Sequence, residues 1–369
     1  MSDAYSPHKA SRHPWITLAI QEADPNVVPA HVQLILSDLC QHRCSFCAYR
    51  TPGYSSSQLF YTTDGKLAGA LARDRNHPER NYNPKRWITK DRALVLVEEL
   101  AELGVQAIQL TGGGEPTVNP AFSAVCQRIR ECGMEYAIVS NGALAPKYLD
   151  DFNQAAWVRI SVDAGIARTY ATTRGAKPEA FDTVWDTIKS IKGPVVGVGF
   201  VVTPQNWQEI AAAAEMARDA GADNIRISAM FSPEGAVVFR PFYEAAQRQC
   251  RAAKALETDR FRVFDRFGAR VEDLELQAPE YRHCRYQHYT TYIGADLNVY
   301  RCCVYSYNKR GLIGSVANQS FRDLWVSQKR MNDMLAFDAT GCERCQFNNL
   351  NRFLNYVCSS EDPPHANFV

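Results

Sequence analysis

The chain has 369 residues, 46 % of them hydrophobic, and its 41 Lys and Arg nearly balance 40 Asp and Glu, giving a net charge of +1. This length is enough for one large α/β domain and a smaller second domain. Without a long basic run, the sequence argues against nucleic acid as the main partner, because phosphate binding normally requires a basic face.

Neither a signal peptide nor a membrane-spanning helix is predicted. Residues 1–30 are polar and contain four prolines, so they lack the apolar segment of a secretory signal. No stretch reaches the roughly 18 apolar residues that a transmembrane helix requires. In such a chain, twelve cysteines predict metal ligands in a reducing compartment rather than disulfides. We therefore expect a cytoplasmic protein that does not associate with membranes.

Short apolar runs alternate with helical stretches between residues 32 and 228. Strands are predicted at 32–36, 107–110, 135–139, 158–162, 195–202 and 224–227. Helices are predicted at 91–103, 119–132, 146–152, 178–191 and 206–220, several of them ending at a glycine suited to a C-cap. This alternation is typical of a parallel sheet covered by helices. Six such units are too few for a closed eightfold barrel and fit a partial, TIM-like (β/α)6 barrel.

Two further segments differ from this repeat. Residues 51–86 form a long connection rich in Ser, Tyr, Arg and Asn, which we interpret as a substrate lid or a surface insertion, with a short helix at 66–75. After residue 228 the pattern changes to a helix at 242–257, a hairpin of 289–293 and 298–301, and a helix at 321–335. The predicted domains are an N-terminal extension (1–30), an α/β core (31–235), a linker with a helix (236–280) and a small α+β cysteine-rich domain (281–369).

Three cysteines follow the first predicted strand at C-x3-C-x2-C spacing: Cys40, Cys44 and Cys47. A [4Fe–4S] cluster takes four thiolates, so three thiols on one short loop would hold three irons and leave the fourth open to another ligand. A structural zinc site normally uses two cysteine or histidine pairs, and only one triplet is present here. Zinc and unligated buried thiols are therefore the less favoured alternatives.

With the aromatic Phe46 before its third cysteine, this motif resembles the cluster loop of the radical S-adenosylmethionine (SAM) superfamily. The resemblance extends over residues 32–358. It implies a partial barrel, a [4Fe–4S] cluster that binds SAM at its open iron, and a place for Phe46 beside the cofactor.

A glycine-rich turn that includes Gly113, Gly114 and Glu115 directly follows the second predicted strand. Glycines allow the backbone to approach a ligand closely. A glutamate at this place would repel a phosphate and suit an ammonium group. In the family, the matching segment holds the amino end of SAM. A turn without a ligand is the alternative.

Polar residues end the next two predicted strands, with Ser140 and Asn141 after the third and Ser161 and Asp163 after the fourth. Because ligands of open parallel sheets bind at the carboxyl ends of the strands, both pairs are expected at one site. These side chains suit the ribose hydroxyls and the amino-acid part of SAM. Helix N-caps are the alternative interpretation of each pair.

Arg174 resembles the arginine that many family members place against the SAM carboxylate. A planar guanidinium matches the two oxygens of a carboxylate. Arg168 is a nearby rival for this role, and a solvated surface arginine is the alternative for either residue.

Cysteines return near the C-terminus in the order Cys284, Cys302, Cys342 and Cys345, with Cys303 beside Cys302. This order resembles the "twitch" half of the SPASM extension of radical SAM enzymes, which implies four thiolates for one auxiliary [4Fe–4S] cluster. Cys303 could replace Cys302 as a ligand, because adjacent residues of a hairpin face opposite sides. A zinc site from the same cysteines is the alternative. Only Cys358 follows, so a second auxiliary cluster is not expected.

The resemblance implies reductive cleavage of SAM to methionine and a 5′-deoxyadenosyl radical, which abstracts hydrogen from a substrate C–H bond. A flavodoxin or a ferredoxin is the implied electron donor. An auxiliary cluster favours oxidation of the substrate radical, that is, dehydrogenation of a small polar molecule such as an amino sugar or a natural-product intermediate. The thirty residues before the first strand are too few for the leader-binding domain of many peptide-modifying relatives, which also favours a small molecule.

Two other interpretations compete with this one. The first is epimerisation or crosslinking of a ribosomal peptide. Epimerisation needs a thiol hydrogen donor, for which Cys250, Cys303 and Cys358 are the candidates, although each would otherwise be an ordinary buried thiol. The second is an iron–sulfur scaffold or electron carrier without enzymatic activity, which the glycine-rich turn makes the least favoured.

Overall fold

A computed structural model describes residues 6–50, 56 and 87–359. Its strands are β1 (His31–Ile35), β2 (Ala107–Thr111), β3 (Glu135–Ser140), β4 (Trp157–Ser161), β5 (Val195–Val202), β6 (Asn224–Ala229), β7 (Arg262–Asp265), β8 (Thr290–Ile293), β9 (Asn298–Tyr300) and β10 (Leu312–Ser315). All ten form one sheet with the order β10-β9-β8-β1-β2-β3-β4-β5-β6-β7. Strands β1 to β8 pair in parallel, whereas β9 and β10 are antiparallel additions at one edge. The sheet therefore has two edges and is not a closed barrel.

The described α-helices lie between and after these strands. They are Pro14–Gln21, Lys90–Leu103, Phe122–Glu131, Leu149–Asn153, Ala167–Arg174, Ala180–Ser190, Ile210–Asp219, Tyr243–Lys254, Phe267–Glu275, Tyr286–Tyr289, Phe321–Trp325, Gln328–Ala336 and Asn348–Val357. None of the helices in these ranges is long and apolar enough to cross a membrane. The predicted lid at 51–86 and its helix at 66–75 lie outside the described residues, apart from Ser56.

The predicted partial TIM-like barrel with a small cysteine-rich α+β part is confirmed. Each of the six predicted strands is present within about two residues of its predicted bounds, and the predicted hairpin is β8 and β9. Two parallel strands were not predicted as members of the barrel sheet. Strand β7 comes from the segment predicted as a linker and pairs with β6, and β8 pairs with β1. Both strands are only four residues long, so their partners depend on the arrangement of the whole chain rather than on a local pattern.

The two faces of the parallel sheet carry different side chains. Outward-facing residues such as Leu34, Ile160 and Ile227 are completely buried beneath the helices. The alternate residues point to the concave inner face and are more polar. There, the Gln109 side-chain amide donates to Gln33 Oε1 at 3.1 Å. The outer face therefore supplies the hydrophobic core, and the inner face leaves a polar interior for ligands.

Two helices, Phe321–Trp325 and Gln328–Ala336, replace the single helix predicted at 321–335. Ser327 lies between them and its hydroxyl accepts a hydrogen bond from the Arg330 amide, which begins the second helix. Trp325 is completely buried and donates from Nε1 to the Val27 carbonyl at 2.7 Å. The C-terminal part thereby packs against the segment that precedes β1.

Candidate active site

The three cysteines of the C-x3-C-x2-C motif lie on a loop at the carboxyl end of β1. This loop is bonded to the end of the helix Ala167–Arg174, where the Arg43 amide donates to the Arg174 carbonyl at 2.9 Å. Gly175 ends that helix at φ +56°, and a Cβ there would lie 2.7 Å from the Arg43 carbonyl oxygen. Only glycine fits this position without strain. A helix that the sequence analysis did not predict therefore holds the cysteine loop in place.

Burial and two nearby cations act on the three thiols of this loop. Burial raises the pKa of Cys44 to about 12 and also raises the pKa values of Cys40 and Cys47. The Arg174 guanidinium opposes the rise at all three sulfurs, and the Arg50 guanidinium opposes it at Cys40 and Cys47. The Asn141 side-chain amide donates to Cys40 Sγ at 3.7 Å. Iron would displace the remaining protons, because it binds thiolate. A cation and a hydrogen-bond donor beside the sulfurs suit the negative charge of a thiolate-ligated cluster.

The glycine-rich turn packs directly against the start of the cysteine loop. The Glu115 amide donates to the Leu39 carbonyl at 2.8 Å, one residue before the first cysteine. A Cβ at Gly114 would lie 2.2 Å from the Leu39 carbonyl oxygen, and one at Gly113 would lie 2.7 Å from Asp38 Oδ1. These two glycines therefore determine how closely the turn and the cysteine loop approach each other.

We expect Gly114→Ala to displace the cysteine loop and to lower SAM cleavage roughly tenfold or more, because a backbone clash of this size exceeds the ~1.4 kcal/mol that a factor of ten represents. The measurement is 5′-deoxyadenosine release from the anaerobically reconstituted protein with dithionite. Gly133→Ala is the matched control, since a Cβ at Gly133 would meet no atom within 4 Å, although its φ is positive. Equal rates of SAM cleavage in the two variants would contradict the proposal that Gly114 determines how closely the glycine-rich turn approaches the cysteine loop.

The Glu115 carboxylate is buried and accepts four hydrogen bonds. Its Oε1 accepts from the Ser140 hydroxyl and the Thr117 hydroxyl, both at 2.7 Å, and from the Thr117 amide at 3.3 Å. Its Oε2 accepts from the Asn141 amide at 2.8 Å. The carboxylate thus connects the glycine-rich turn to the end of β3. A carboxylate oxygen has two lone pairs, so Oε2 keeps one acceptor position within the described part of the chain.

The structure pairs Asp163 with Arg174, two residues that the sequence analysis assigned separately to SAM. Arg174 Nη1 lies 2.5 Å from Asp163 Oδ2, and the side chains are 6 % and 1 % exposed. Asp163 also accepts from the Val201 amide at 2.7 Å and has a left-handed φ of +60°. Arg174 Nε is buried without a hydrogen-bond partner among the described residues. The hydrogen-bonding capacity of this nitrogen is therefore unused within the described part of the chain.

The other residues predicted to contact SAM lie around the same carboxyl ends. Ser140 and Asn141 are buried, while Ser161, the last residue of β4, and Phe46, in the cysteine loop, are half-buried. Besides its contact with Cys40, the Asn141 side chain accepts from the Gln41 amide group at 3.0 Å. The predicted residues of the first cluster and of SAM are thus brought to one end of the sheet.

Four cysteines line one cavity in the C-terminal part: Cys284, Cys302, Cys342 and Cys345. Tyr281 and Asn351 are also part of its wall. The Tyr281 hydroxyl donates to Cys345 Sγ at 3.4 Å, and the Asn351 amide donates to Cys284 Sγ at 3.8 Å. Donors directed at sulfur stabilise thiolate ligands, so this donor set fits an iron–sulfur cluster.

Among the described residues, the thiols at each of the two sites are too far apart to bind one metal ion together. Within residues 6–50, 56 and 87–359, no three His, Cys, Asp or Glu side chains are arranged to hold a single metal ion. A [4Fe–4S] cluster does not require such a group, because each thiolate binds a different iron.

Among the described residues, Cys303 is not part of the cavity wall. Its sulfur accepts a hydrogen bond from the Gln346 side chain and interacts with the Tyr292 hydroxyl. Cys303 and Tyr49, which lies two residues after Cys47, pack against the same hydrophobic cluster. Cys302 therefore lines the four-thiol cavity, whereas Cys303 lies between two hydrophobic clusters, one that it shares with Tyr49 and one that contains Cys342.

The other two candidate hydrogen donors lie in hydrophobic clusters. Cys250 is completely buried on the helix Tyr243–Lys254, in the apolar layer between that helix and the outer face of the sheet. Cys358 is buried against Ile16 and Leu354, beside the N-terminal segment. Both positions suit ordinary buried thiols.

The residues around Cys303 were not found by sequence analysis. Arg270 donates a hydrogen bond to Gln346, and its charge lowers the pKa of Cys303 against the rise that burial causes. These side chains are far apart in the sequence and belong to no motif, so no local signal identifies them. Only Tyr49, two residues after the cysteine motif, could have been connected with the site by its position.

Two protein-family models match the chain. The radical SAM superfamily model matches residues 34–217, and the SPASM iron–sulfur cluster-binding domain matches residues 284–346. A curated S-adenosylmethionine-dependent nucleotide dehydratase of Flammeovirga pacifica is 30 % identical over 141 residues, which are 38 % of this chain. The match spans only 40 % of the length of that relative.

Solved structures with the same fold include proteins with bound S-adenosylmethionine or a bound peptide. Streptococcus suis SuiB bound to S-adenosylmethionine has a TM-score of 0.60 at 12 % identity, covering 91 % of this chain and 75 % of SuiB. SuiB bound to the precursor peptide SuiA gives 0.59, also at 12 % identity, covering 91 % and 73 %. The anSMEcpe protein with bound AdoMet gives 0.51 at 13 % identity, covering 88 % of each chain.

At these identities the structural likeness shows the fold, whereas the family models identify both cysteine-containing regions. The radical SAM match includes the loop of Cys40 to Cys47, and the SPASM match includes all four thiols of the C-terminal cavity. The chain therefore belongs to the radical SAM superfamily and is a radical SAM enzyme with a C-terminal SPASM domain, whose cofactors are SAM, a [4Fe–4S] cluster and an auxiliary iron–sulfur cluster.

Proposed function

We propose that this enzyme dehydrogenates a small polar molecule and that the electron from the substrate radical passes to the auxiliary cluster. The observation that carries this proposal is the cavity lined by the same four C-terminal thiols that the sequence pattern singles out. Four thiolates leave no open iron for a substrate, so such a site is suited to electron transfer. When bound, SAM and the first cluster supply the 5′-deoxyadenosyl radical that takes hydrogen from an unactivated C–H bond.

In this proposal, the residues around the N-terminal cysteine loop bind the first cluster and SAM. Cys40, Cys44 and Cys47 hold the cluster. The unpartnered Nε edge of Arg174 meets the SAM carboxylate, and the remaining acceptor position on Glu115 Oε2 meets its ammonium group. Gly113 and Gly114 allow the backbone to approach this end of the cofactor. The aromatic Phe46 and the polar residues at the carboxyl ends of β3 and β4 complete the cofactor site; these polar residues are Ser140, Asn141, Ser161 and Asp163.

The reaction balances when one external electron cleaves SAM to methionine and the 5′-deoxyadenosyl radical, and one electron from the substrate radical passes to the auxiliary cluster. The substrate loses one hydrogen atom, which ends in 5′-deoxyadenosine, and then one proton and one electron, which leaves a new double bond. An amino sugar or a natural-product intermediate is the substrate class we favour. The partial relationship to a protein named as a nucleotide dehydratase also supports a small polar substrate. A flavodoxin or ferredoxin would supply the electron for SAM cleavage, and twelve free thiols are consistent with the reducing cytoplasm.

Separate substitution of Cys302 and Cys303 tests whether the four thiols of the cavity hold an iron–sulfur cluster. Cys302→Ala is expected to lose about four irons per chain, the content of one cubane, whereas Cys303→Ala keeps them, because only Cys302 lines the cavity. Iron and sulfide analysis after anaerobic reconstitution measures this difference. Both variants should still cleave SAM, since the cysteine loop is unchanged. If Cys303→Ala loses the iron and Cys302→Ala keeps it, the ligand assignment is wrong.

A second candidate function is favoured by the position of Cys303, which packs against the same cluster as Tyr49 and is not part of the described cavity wall. In this case the substrate is a peptide. The Cys303 thiol gives its hydrogen atom to a carbon radical, and the resulting thiyl is reduced by one electron from the flavodoxin or ferredoxin and takes a proton from water. SuiB, whose fold this chain shares, has been solved with a precursor peptide.

Deuterated solvent separates the two reactions. Epimerisation through Cys303 places one solvent deuterium in the product, because the thiol exchanges with solvent, and Cys303→Ala stops this incorporation. Dehydrogenation places none and yields a product lighter by two hydrogens. Mass spectrometry of products formed in D2O by the wild type and by Cys303→Ala is the measurement.

A further inference from the structure

Three buried polar atoms beside the N-terminal cysteine loop have no hydrogen-bond partner among the described residues. They are Tyr170 Oη, His42 Nδ1 and Arg174 Nε. Tyr170 is completely buried, and His42 and Arg174 are 4 % and 5 % exposed. Because burying a polar group without a partner costs stability, most such groups in folded proteins are paired. Three unpaired atoms at one place therefore indicate a ligand that brings polar atoms of its own.

The helix Ala167–Arg174 and its contacts with the cysteine loop bring these atoms together. Tyr170 and Arg174 are four residues apart, so their side chains lie on the same face of this helix. The backbone of the cysteine loop is bonded to the last residues of the helix. The His42 ring, from the loop, packs edge-on against the Tyr170 ring with 6.0 Å between the ring centroids. All three side chains therefore belong to the wall of the first site.

The Tyr170 hydroxyl lies among the charged residues of this site. Burial raises the pKa of Tyr170 to about 12, and the Arg174 guanidinium opposes this rise. Three acidic groups add to the rise, those of Asp163, Cys44 and Glu115. At neutral pH the hydroxyl therefore keeps its proton and can donate a hydrogen bond. Since no described residue accepts this bond, a group bound at the site is the acceptor that the arrangement suits.

We propose that Tyr170 is a binding residue for SAM and that its hydroxyl donates a hydrogen bond to the SAM carboxylate, beside the Arg174 guanidinium. The proposal rests on the proposed function, which assigns Arg174 Nε to the same carboxylate. A hydroxyl donor next to a guanidinium suits an anion, whereas the ammonium and sulfonium groups of SAM are cations. A carboxylate has about four lone-pair positions on its two oxygens, so it can accept from both side chains and still bind iron.

The test compares SAM binding by the wild type and by Tyr170→Phe, which removes only the hydroxyl oxygen. Both proteins are reconstituted anaerobically and kept with the cluster oxidised, so that SAM binds without being cleaved. Equilibrium dialysis with SAM measures the dissociation constant. We expect Tyr170→Phe to raise it roughly tenfold or more, because one hydrogen bond to a charged group is lost. The iron and sulfide content should equal that of the wild type.

Tyr136→Phe is the matched control. The Tyr136 hydroxyl is also buried, but it donates to the Asp151 carbonyl, and the ring packs in the outer core away from the cysteine loop. The dissociation constant for SAM should therefore not change in this variant.

The two variants should also change stability in opposite directions. No described residue pairs with the Tyr170 hydroxyl, so Tyr170→Phe should raise the urea concentration at the midpoint of unfolding of the SAM-free reconstituted protein. Tyr136→Phe should lower this midpoint, because it removes a bonded hydroxyl. A lower midpoint for Tyr170→Phe would mean that its hydroxyl is bonded within the protein, and would overturn the proposal.

Two other results would also overturn the proposal. One is an equal dissociation constant for SAM in the wild type and in Tyr170→Phe. The other is a shift in the reduction potential of the SAM-free cluster in Tyr170→Phe, followed by electron paramagnetic resonance, because it would show that the hydroxyl is bonded to cluster sulfur. These measurements report SAM binding and stability. A substrate product that has not lost two hydrogens would reject the proposed function and leave this inference standing.

Discussion

Replacing Cys40, Cys44 and Cys47 by alanine together is expected to abolish reductive SAM cleavage and to leave about four irons per chain after anaerobic reconstitution. The loop at the carboxyl end of β1 then has no ligand for the cluster that activates SAM. The C-terminal cavity keeps its thiols, because Cys284, Cys302, Cys342 and Cys345 belong to different elements that the substitutions do not touch. Iron, sulfide and 5′-deoxyadenosine are the quantities to measure.

Cys132→Ala is the control for this triple variant, because Cys132 lies at the end of the helix Phe122–Glu131 and outside both thiol groups. It should keep both the iron content and the activity of the wild type. Iron near zero in the triple variant would mean that the C-terminal thiols do not hold a cluster without the first one. The proposed oxidation of the substrate would then lose its electron acceptor.

The second large effect is expected from Arg174→Ala, which leaves the Asp163 carboxylate buried without its cation. Removing one partner of a buried ion pair typically costs about 3–5 kcal/mol, and the pair here is 2.5 Å apart with both side chains almost inaccessible to solvent. We therefore expect a decrease in the free energy of unfolding of about 3 kcal/mol. Urea unfolding of the reconstituted protein, followed by circular dichroism, measures this change.

Arg168→Ala provides the control, because Arg168 is exposed on the same helix. Its effect should stay within about 0.5 kcal/mol, as for most surface substitutions. Asp163→Asn combined with Arg174→Gln should recover part of the loss, since no unpaired charge is then buried. Equal stability of Arg174→Ala and Arg168→Ala would show that the ion pair contributes nothing to folding, and would reopen the choice between these two arginines.

The sequence analysis assigned both Asp163 and Arg174 to the SAM site, but it did not predict that the two side chains form an ion pair with each other. Each residue was assigned to SAM because of its position after β4 or its likeness to a family arginine. Their mutual contact depends on the helix Ala167–Arg174, which was not predicted because its sequence has few apolar residues in a regular spacing. The positive φ of Asp163 is a conformation that aspartate adopts more often than most residues, but a single aspartate is not enough to predict it.

The sequence alone was enough to predict the first cluster loop, the glycine-rich turn and six of the strands. Each of these depends on the spacing of residues that are close together in the chain. Only the tertiary structure decided the rest. It placed Cys302, but not Cys303, in the described wall of the four-thiol cavity, and it paired the short strands β7 and β8 with distant partners. Such contacts depend on the register between strands, and the free energy that selects a register comes from burying the whole outer face of the sheet.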